Sequence, residues 1–368
     1  MSLVIDTIRG VDKYLNGLLC LVIGKLAKPN KMVQRPKSPK NIVFVKLWAI
    51  GDSVITLPLI KQIKKKNPKA KITVIATKRN ADVYKDQKFI DNIVLLSPEI
   101  LGLANEFDVA FDLEPYLNSS AMLTRFIGKY TIGFTNQVRS DLYHEKTPFF
   151  KDKHMVDSYI EMGKSFGVKK VNKLEKLNVS KKDQKIVDSF LKKEGIKKTD
   201  LVIGICPGAA ESSRQRMWPE KRFIELADNL ITKYDAKIVF VGSPGELEQI
   251  NVIRRKMRSR SSTTAGKLSL RQTFSFIEKC KIFISNDTGP MHIAAAQGVK
   301  TIGLFGPNTP ARWGPYGEGN ISLYHKTWCS PCIINEKGDM PDCFNKSFQK
   351  CMKLITVEEV EKAVNKLK

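Results

Sequence analysis

The chain has 368 residues, more than one hydrophobic core usually organises, so the sequence predicts two domains of about 150 residues each. Hydrophobic residues make up 42% and charged residues 27%, a balance that excludes global disorder. Lys and Arg number 62 against 37 Asp and Glu, giving a formal net charge of +25. That excess attracts polyanions, and nucleic acid, an anionic membrane or a phosphorylated substrate would fit. Because no base-stacking pattern or nucleic-acid-binding motif is present, charge alone does not select nucleic acid.

Residues 1–40 combine an apolar helical pattern with a basic linker at residues 28–40. The apolar residues at helical spacing are Val4, Ile8, Val11, Leu15, Leu18, Leu19, Val22 and Leu26. The most apolar stretch, residues 18–23, is too short to span a bilayer, and the pattern of a secretory signal is missing. We therefore expect a cytoplasmic chain. Two roles stay open for the helix, which either lies in a membrane interface or packs against the protein's own body.

From residue 41 onward, short β-branched runs alternate with helical stretches, the pattern of a parallel α/β sheet. The strands predicted in the first half are Asn41 to Leu47, Lys71 to Thr77, Asn92 to Leu96, Asp108 to Leu113 and Thr131 to Phe134. Residues 41–180 are thus predicted to form a Rossmann-like domain. The lysine-rich residues 181–200, with one helix at 182–193, are predicted to link it to the next domain.

A second Rossmann-like domain is predicted over residues 201–355, followed by a closing helix at 356–368. Its predicted strands are Leu201 to Cys206, Lys237 to Val241, Lys281 to Ser285 and Lys300 to Leu304, and its predicted helices are Glu220 to Tyr234, Glu246 to Lys256 and Ser269 to Lys279. The predicted fold class is α/β, with two doubly wound parallel-sheet domains facing across a cleft. Ligands are expected beyond the carboxyl ends of the strands.

The first candidate motif, KLWAIGDSVITLP, runs from Lys46 to Pro58 and leads from the first strand into a helix. Gly51 permits a tight turn or a close ligand approach. Asp52 then lies at or near a helix N-terminus, where the helix dipole and free N–H groups favour a negative charge. From these residues alone, Asp52 is either a functional carboxylate or a plain N-cap.

The second candidate motif, SNDTGPMH at residues 285–292, again leads from a strand into a helix, predicted at 290–297. Asp287 and Thr288 before a first-turn proline are ordinary helix-start signals. A helix N-terminus presents unpaired N–H groups that suit a diphosphate. His292, on the first turn, either donates to a phosphate or sugar oxygen or has a structural role.

Three segments rich in Gly and Pro follow strands of the second half and are predicted to form loops. They are CPGAAESSRQRMWP at 206–219, VGSPGE at 241–246 and LFGPNTPARWGPYG at 304–317. The first carries two cations and two hydroxyls, from Arg214, Arg216, Ser212 and Ser213. Each segment fits either a ligand-binding loop or an ordinary turn.

In order, spacing and residue types, these five segments resemble the bacterial lipopolysaccharide heptosyltransferases, and they cover residues 41–355. The matching positions are Lys46, Gly51, Asp52, Arg216, Trp218, Pro219, Gly242 to Glu246, Asp287, Thr288, Gly289, His292, Gly306 and Pro307. The resemblance implies a GT-B glycosyltransferase that inverts the anomeric centre and needs neither a metal nor another cofactor. It also implies an ADP-linked or related nucleotide-sugar donor and an anionic lipopolysaccharide-like or other glycan acceptor.

Glycosyl transfer needs a carboxylate that takes the proton from the acceptor hydroxyl, and Asp52 fits this role. The departing diphosphate gains negative charge, which Lys46, Arg216 and the helix start at 287–292 would stabilise. By resemblance, Glu246 lies near the ribose and Asp287 holds the donor sugar or its loop. The predicted donor-binding set is Lys46, Gly51, Ser212, Ser213, Arg216, Glu246, Asp287, Thr288, Gly289, His292, Gly306 and Pro307.

The chain departs from the family near the predicted donor site. Members that use ADP-heptose often carry Lys at the Arg216 position and a Thr pair in place of Ala209 and Ala210. The positive charge is kept but two hydroxyls are lost, and Ser212 or Ser213 could replace them. The resemblance therefore indicates the reaction class and leaves the donor sugar open.

Four of the seven cysteines, Cys329, Cys332, Cys343 and Cys351, fall within 23 residues. The first two have the spacing of a structural metal knuckle, but a matching second pair is missing. Disulfides are disfavoured in a reducing cytoplasm. A structural metal site, free or redox-labile thiols and disulfides all stay open, and no metal is expected at the active site.

Two other classes of protein share some of these features. A different nucleotide-sugar enzyme, such as an epimerase or dehydrogenase, would also use Rossmann folds, but no G-x-G-x-x-G follows the first strand. A basic nucleic-acid-binding protein with a cysteine metal knuckle is the non-enzyme alternative. Thermal stabilisation by ADP favours the transferase, and stabilisation by an oligonucleotide alone favours the binding protein.

Overall fold

The computed structural model describes residues 7, 10–26, 28–30, 32–209, 211–336, 339 and 341–368, without the side chains of residues 211 and 212. Val4 and Ile8 of the predicted N-terminal helix, Ala210 and the Ser212 side chain therefore lie outside the described residues. The chain divides into two compact units. Unit 1 comprises Met1–Val171 with Ile334–Asp339, and unit 2 comprises Asn172–Ile333 with Met340–Lys368.

Unit 1 is built on a parallel six-stranded sheet with the order β3-β2-β1-β4-β5-β6. The strands are β1 (Asn41–Val45), β2 (Lys71–Ala76), β3 (Asn92–Leu95), β4 (Phe107–Asp112), β5 (Gly128–Phe134) and β6 (Glu145–Thr147). The neighbouring strands β1 and β2 read NIVFV and KITVIA and are buried beyond their first residues, as expected where helices cover both faces of a sheet. The strand order reverses between β1 and β4, which creates a switch point there.

The helices of unit 1 connect these strands or pack beside them. The α-helices are Gly17–Leu26, Ile50–Lys66, Ala81–Tyr84, Asn118–Ile127 and Met155–Met162, with a π-turn at Asp12–Asn16 and 3₁₀ turns at Pro98–Leu103, Val138–Leu142 and Lys164–Phe166. In the part of the chain that the structure describes, no helix is long and apolar enough to cross a membrane.

Unit 2 repeats the same topology with its own sheet, in the order β12-β11-β10-β7-β8-β9. The strands are β7 (Val202–Cys206), β8 (Lys237–Phe240), β9 (Ser262–Thr263), β10 (Ile282–Asn286), β11 (Lys300–Phe305) and β12 (Ile321–Tyr324). All neighbouring strands are parallel. The switch point of this sheet lies between β7 and β10, the counterparts of β1 and β4.

The helices of unit 2 surround this sheet and pack on it. They are Lys181–Lys193, Glu220–Tyr234, Leu247–Lys256, Leu270–Glu278, Gly289–Ala296, Pro310–Trp313, Lys350–Leu354 and Val357–Leu367, with 3₁₀ turns at Glu211–Arg216 and Pro244–Glu246. Trp218 is the largest fully buried side chain and packs edge-on against Phe223 in the main core. Ser269 and Gln272 form a capping box at the start of the helix Leu270–Glu278.

The predicted fold class is confirmed, because each unit has the strand order of a Rossmann fold. All nine predicted strands are present, with ends shifted by up to three residues. Three further strands, β6, β9 and β12, were missed. They have the sequences EKT, ST and ISLY, lie at the edges of the sheets and are too short or too polar for alternation to mark them.

The division into units differs from the predicted linker at residues 181–200. The helix Lys181–Lys193 belongs to unit 2, where Phe190 packs edge-on against Phe276 with ring centroids 6.1 Å apart. Arg271 Nε lies 3.6 Å from Asp183 Oδ2 and strengthens this packing. The predicted closing helix is present as Val357–Leu367, and it packs in the core of unit 2 through Val360 and Val364.

Candidate active site

A strained turn after β1 presents Asp52. Ala49, the residue before the helix Ile50–Lys66, has φ 63° and ψ 127°, a backbone conformation that costs about 1 to 3 kcal/mol for a residue with a Cβ atom. The hydroxyl of Ser53 donates a 2.8 Å hydrogen bond to the Ala49 carbonyl and closes the turn. Asp52 is the third residue of this helix and not its N-cap, so the plain N-cap interpretation does not describe the structure.

Lys46 follows β1 and its side chain is fully buried. Its Nζ atom lies 2.9 Å from Glu114 Oε2 and 3.6 Å from Asp52 Oδ2, while the Asp52 side chain keeps 19% of its surface exposed. Burial alone would lower the pKa of Lys46, but the negative charges of Glu114 and Asp52 outweigh it and raise that pKa well above its ordinary value. Lys46 therefore remains an ammonium ion, and its immediate partners are two carboxylates.

Glu114 completes this cluster, although sequence reasoning did not single it out. It follows β4, the neighbour of β1 at the switch point, and is fully buried. Its Oε1 atom accepts hydrogen bonds of 2.7 Å from the backbone N–H groups of Leu47 and Trp48. The sequence signal that could have identified Glu114 is its position directly after a predicted central strand, because ligand sites of such sheets lie there.

Asn80 fixes the same end of β1 from the other side and was also missed. Its Nδ2 group donates to the Lys46 carbonyl at 2.9 Å and to the Ser53 hydroxyl at 2.8 Å. Since Ser53 in turn binds Ala49, this amide connects the strand end to the turn that carries Asp52. Several independent hydrogen bonds thus hold the backbone that carries the Asp52 carboxylate.

In unit 2, three loops that follow neighbouring strands meet at Asp287. Its Oδ2 atom lies 3.3 Å from Arg216 Nη1 and accepts a 3.0 Å hydrogen bond from Asn308 Nδ2. Arg216 Nη1 also donates to the Asp287 carbonyl at 3.3 Å. Asp287 and Asn308 are buried, whereas the Arg216 side chain is 20% exposed. The guanidinium is therefore oriented by a buried carboxylate and still reaches the surface.

Asn286 holds the loop that carries Arg216. Its Nδ2 group donates to the carbonyls of Pro207 and Gly208 at 2.8 and 3.2 Å, and its Oδ1 atom accepts from the Trp218 N–H at 3.0 Å. Both ends of the loop are thus attached to the end of β10. Asn286 and Asn308 lie inside motifs found from the sequence, but only the fold shows what they bind.

Glu246 lies close to a glycine of the same loop. Its Oε2 atom accepts hydrogen bonds of 2.7 Å from the N–H and from the hydroxyl of Ser243. A Cβ atom on Gly208 would lie 1.8 Å from Glu246 Oε1, so residue 208 must be glycine for the carboxylate to lie there. Glu246 therefore lies directly beside the loop 206–219, whereas its predicted place near the ribose stays a prediction.

The helix Gly289–Ala296 starts beside this cluster, one residue earlier than predicted. Thr288 is its N-cap, and the Thr288 hydroxyl lies 3.1 Å from the Ser285 hydroxyl. His292 on the first turn is buried, with 3% of its surface exposed. Thr288 and Gly289 are half-buried, so the first helical turn remains accessible through its backbone.

The structure therefore separates the predicted site residues into groups. Lys46, Gly51 and Asp52 belong to unit 1, and Ser213, Arg216, Glu246, Asp287, Thr288, Gly289, His292, Gly306 and Pro307 belong to unit 2. Ser213 is buried. The carbonyls of Gly306 and Pro307 accept hydrogen bonds from the Ser330 hydroxyl and the Cys332 N–H, so these two residues support the loop that carries the cysteines.

The four C-terminal cysteines, Cys329, Cys332, Cys343 and Cys351, line one pocket of unit 2. All seven cysteines are described and carry free thiols, which is one of the three alternatives left open by the sequence. Within the described residues, no three His, Cys, Asp or Glu side chains are arranged to hold a metal ion. Hydrogen bonds with Thr327 and Asn345 lower the pKa of Cys329, whereas burial raises the pKa of Cys332.

Two Rossmann-order sheets, each with paired charged side chains beside its switch point, have the architecture of the GT-B fold. The sequence pattern of glycosyltransferase family 9 (heptosyltransferase) matches residues 102–339, more than half of the chain. The chain belongs to this family, and its predicted resemblance to heptosyltransferases is confirmed.

Individual relatives agree with this assignment. The chain is similar to the lipopolysaccharide core heptosyltransferase OpsX of Haemophilus influenzae, with 26% identity over 312 residues that cover 79% of this chain and 86% of the relative. A family 9 glycosyl transferase structure from Veillonella parvula superposes with a TM-score of 0.76 at 24% identity, covering 92% of this chain and 99% of that chain. The E. coli ADP-heptose lps heptosyltransferase II gives a TM-score of 0.71 at 22% identity, with coverages of 89% and 98%.

Membership of this family makes the chain a transferase. The nucleic-acid-binding alternative and the alternative of another nucleotide-sugar enzyme are not favoured, since the family match includes both the end of unit 1 and most of unit 2. The predicted independence from metal is not tested by these findings and stays a prediction.

We expect Lys46→Met to lower the free energy of unfolding by about 3 to 5 kcal/mol, because it leaves two carboxylates without their buried cation. Urea unfolding followed by circular dichroism measures this change. The matched control is Lys129→Met, which removes an exposed ion pair to Asp108 and should cost less than about 1 kcal/mol. Equal effects of the two substitutions would contradict the described cluster.

We expect Cys329 to react with iodoacetamide at least about tenfold faster than the buried Cys20 and Cys206, because alkylation requires the thiolate. Hydrogen bonds lower the pKa of Cys329, and burial raises the pKa of Cys20 to about 11 and that of Cys206 to about 12. Peptide mass spectrometry after brief alkylation of the folded protein measures the order. A Cys329→Ser variant shows whether the first label is assigned correctly, and earlier labelling of Cys20 or Cys206 would contradict the expectation.

Proposed function

We propose that this chain transfers a heptose or a related sugar from an ADP-linked donor to a lipopolysaccharide-like acceptor, with inversion at the anomeric carbon. Its family and the names of its relatives support this proposal, since the E. coli neighbour is an ADP-heptose lipopolysaccharide heptosyltransferase. The observation that carries it is Asp52, a partly exposed carboxylate held beside the buried Lys46–Glu114 pair.

In this proposal, Asp52 removes the proton from the acceptor hydroxyl as the hydroxyl oxygen attacks the sugar. Its place in the first turn of a helix and its 3.6 Å distance from Lys46 surround the carboxylate with positive potential. Lys46 and Glu114 are buried, so they act as positioning residues. This assigns to Lys46 a role different from the donor contact that the resemblance implied.

Unit 2 binds the nucleotide sugar in this proposal. Negative charge grows on the diphosphate as the glycosidic bond breaks, and Arg216 is the partly exposed cation that neutralises it. The pairing with Asp287 orients the guanidinium before the donor arrives. The half-buried start of the helix Gly289–Ala296 adds backbone N–H groups for the phosphates. Glu246 is our candidate for the ribose hydroxyls.

We further propose that the enzyme acts in the cytoplasm, at the inner face of the cytoplasmic membrane. A lipopolysaccharide-like acceptor is anchored in a membrane, and a protein with a net charge of +25 is attracted to an anionic surface. The donor is a soluble nucleotide sugar, so both substrates meet at that surface.

Asp52→Asn should lower kcat by about 10² to 10⁴, because the amide keeps the shape of the side chain but cannot accept the proton. Transfer is measured by ADP release with an ADP-heptose donor and a lipopolysaccharide core acceptor. ADP binding, measured by thermal shift, should change by less than about twofold in Kd, since the donor groups lie in unit 2.

The matched control for the base is Asp152→Asn, an exposed aspartate of unit 1 that should leave kcat unchanged. An Asp52→Asn enzyme that retains wild-type turnover would eliminate Asp52 as the base. Loss of ADP binding in the same variant would indicate that Asp52 acts on the donor.

Arg216→Ala should weaken ADP binding about 10- to 100-fold, as expected when a charge-assisted hydrogen bond to a phosphate is removed. Arg216→Lys keeps the charge and should remain within about fivefold of the wild type. Isothermal titration with ADP measures both, and Arg214→Ala, the exposed neighbour, is the control. Unchanged affinity in Arg216→Ala would refute the assignment of this residue to the diphosphate.

A further inference from the structure

The N-terminal helix Gly17–Leu26 packs on unit 1 through its smallest residues. Gly17, Cys20 and Gly24 are buried and lie on one face of the helix. A Cβ atom on Gly24 would lie 3.1 Å from the Asp141 Cβ atom, so the backbones approach closely there. Cys20 is fully buried in a small cluster with Ala121 and other apolar residues. The inward face is therefore narrow and closely packed.

Most of the large apolar residues of the same segment face outward, whereas Ile23 packs against the inward cluster. Leu15, Leu18, Leu19, Val22 and Leu26 follow helical spacing and form what we call the outer stripe. They are 41 to 83% exposed. A helix that only covers its own protein turns such residues inward and leaves polar residues outside. This helix has the reverse arrangement, and a contiguous apolar surface of this kind marks an interaction site.

Asp12 fixes the segment firmly to unit 1. Its two carboxylate oxygens accept 2.9 Å hydrogen bonds from the N–H groups of Asn118 and Ser119, the first two residues of the helix Asn118–Ile127. The Asn118 side chain returns a 3.0 Å hydrogen bond to the Asp12 carbonyl. Because Asp12 caps another helix in this way, the outer stripe is held in one orientation relative to the sheet of unit 1.

The exposed charges that this segment itself carries beside the outer stripe are of one sign. From residue 13 to residue 51 the sequence contains no Asp or Glu, and Asp12 is buried against unit 1. The cations between residues 13 and 40 are Lys13, Lys25, Lys28, Lys31, Arg35, Lys37 and Lys40. Lys13, Lys25 and Lys28 are exposed beside the stripe. Two aspartates of unit 1 lie nearby, since Asp339 pairs with Lys13 and Asp141 lies beside Gly24, but the exposed charges of the segment itself are all positive. An apolar stripe flanked mainly by cations complements a surface that is apolar inside and anionic at its edge, which describes an anionic bilayer.

We propose that the outer stripe inserts into the headgroup and acyl boundary of an anionic bilayer, with Lys25 and Lys28 at the level of the lipid phosphates. This inference rests on the proposed function, in which the acceptor is anchored in a membrane. The helix lies in the plane of the interface and does not span it. The two alternatives for this segment thus combine, because one face packs on the protein and the other binds lipid.

A chain of contacts connects this surface to the strand that ends at the active-site cluster. Asp12 binds the start of the helix Asn118–Ile127, and the Ser120 hydroxyl of that helix donates to Asp112 Oδ2 at 2.9 Å. Asp112 is the last residue of β4, two residues before Glu114. Membrane docking would therefore fix the orientation of the whole sheet, including Asp52, relative to the lipid surface.

Flotation of the full-length protein with vesicles tests the inference. The wild type should float with vesicles of phosphatidylglycerol mixed with phosphatidylcholine, and a much smaller fraction should float with vesicles of phosphatidylcholine alone. Added salt should weaken binding to the anionic vesicles. The double variant Leu18→Gln/Val22→Gln should lower the partition coefficient at least about tenfold, because it replaces two apolar side chains of the stripe. The matched control, Leu96→Gln/Leu101→Gln, changes two exposed leucines elsewhere on unit 1 and should bind as the wild type does.

Three results would overturn the inference. The first is that Leu18→Gln/Val22→Gln binds vesicles as strongly as the wild type, and the second is that the wild type binds neutral and anionic vesicles equally. The third is that the wild type is a dimer, the double variant is a monomer and neither protein binds vesicles. The last result would assign the stripe to a second copy of the chain.

An assay of sugar transfer to a water-soluble core saccharide, without lipid, distinguishes a failure of this inference from a failure of the proposed function. We expect the double variant to keep wild-type kcat on that acceptor, since the stripe lies outside the active-site cluster. If neither protein transfers the sugar but the double variant alone loses vesicle binding, the proposed function fails and the docking surface stands. If both transfer the sugar and bind vesicles equally, the docking surface fails and the proposed function stands.

Discussion

The buried ion pair between Lys46 and Glu114 is the contact on which the candidate base depends. It joins the ends of two neighbouring strands, β1 and β4, and brings a cation within 3.6 Å of Asp52. A buried ion pair is a weak source of stability, because both charges lose their hydration. Here the backbone N–H groups of Leu47 and Trp48 satisfy the carboxylate. Its clearest effect is geometric, since it fixes where the Asp52 carboxylate stands.

The two units use the same topology for different chemistry. In each sheet the central charged pair of the candidate site follows the two strands that flank the switch point, β1 and β4 in unit 1 and β7 and β10 in unit 2. Unit 1 buries its cation and leaves an aspartate partly exposed, whereas unit 2 buries Asp287 and leaves Arg216 partly exposed. In the proposed mechanism, the first arrangement provides the proton acceptor and the second provides a positive charge for the diphosphate. The same topology would then meet both requirements of glycosyl transfer.

The sequence predicted most of the fold because hydrophobic periodicity and turn residues mark the larger elements. The helix Glu220–Tyr234 was located to the residue, since Pro219 precedes it and its apolar face is regular. Asp52 and Asp287 were found because each follows a predicted strand. Glu114 and Asn80 were missed because their partner Lys46 lies 68 and 34 residues away, and only the folded sheet brings them together. The inward face of the N-terminal helix was hidden because Gly17 and Gly24 do not register as apolar.

The strained conformation of Ala49 limits what evolution or design can do with this turn. Its backbone conformation favours glycine, so Ala49→Gly would relieve strain and also loosen the peptide that leads into Asp52. Asn and Asp tolerate a positive φ better than other residues, but they do so in the left-handed helical region, and the ψ of 127° at Ala49 lies outside that region. An alanine at this position therefore costs folding stability, and the same Cβ atom that causes the strain also restricts the peptide before Asp52.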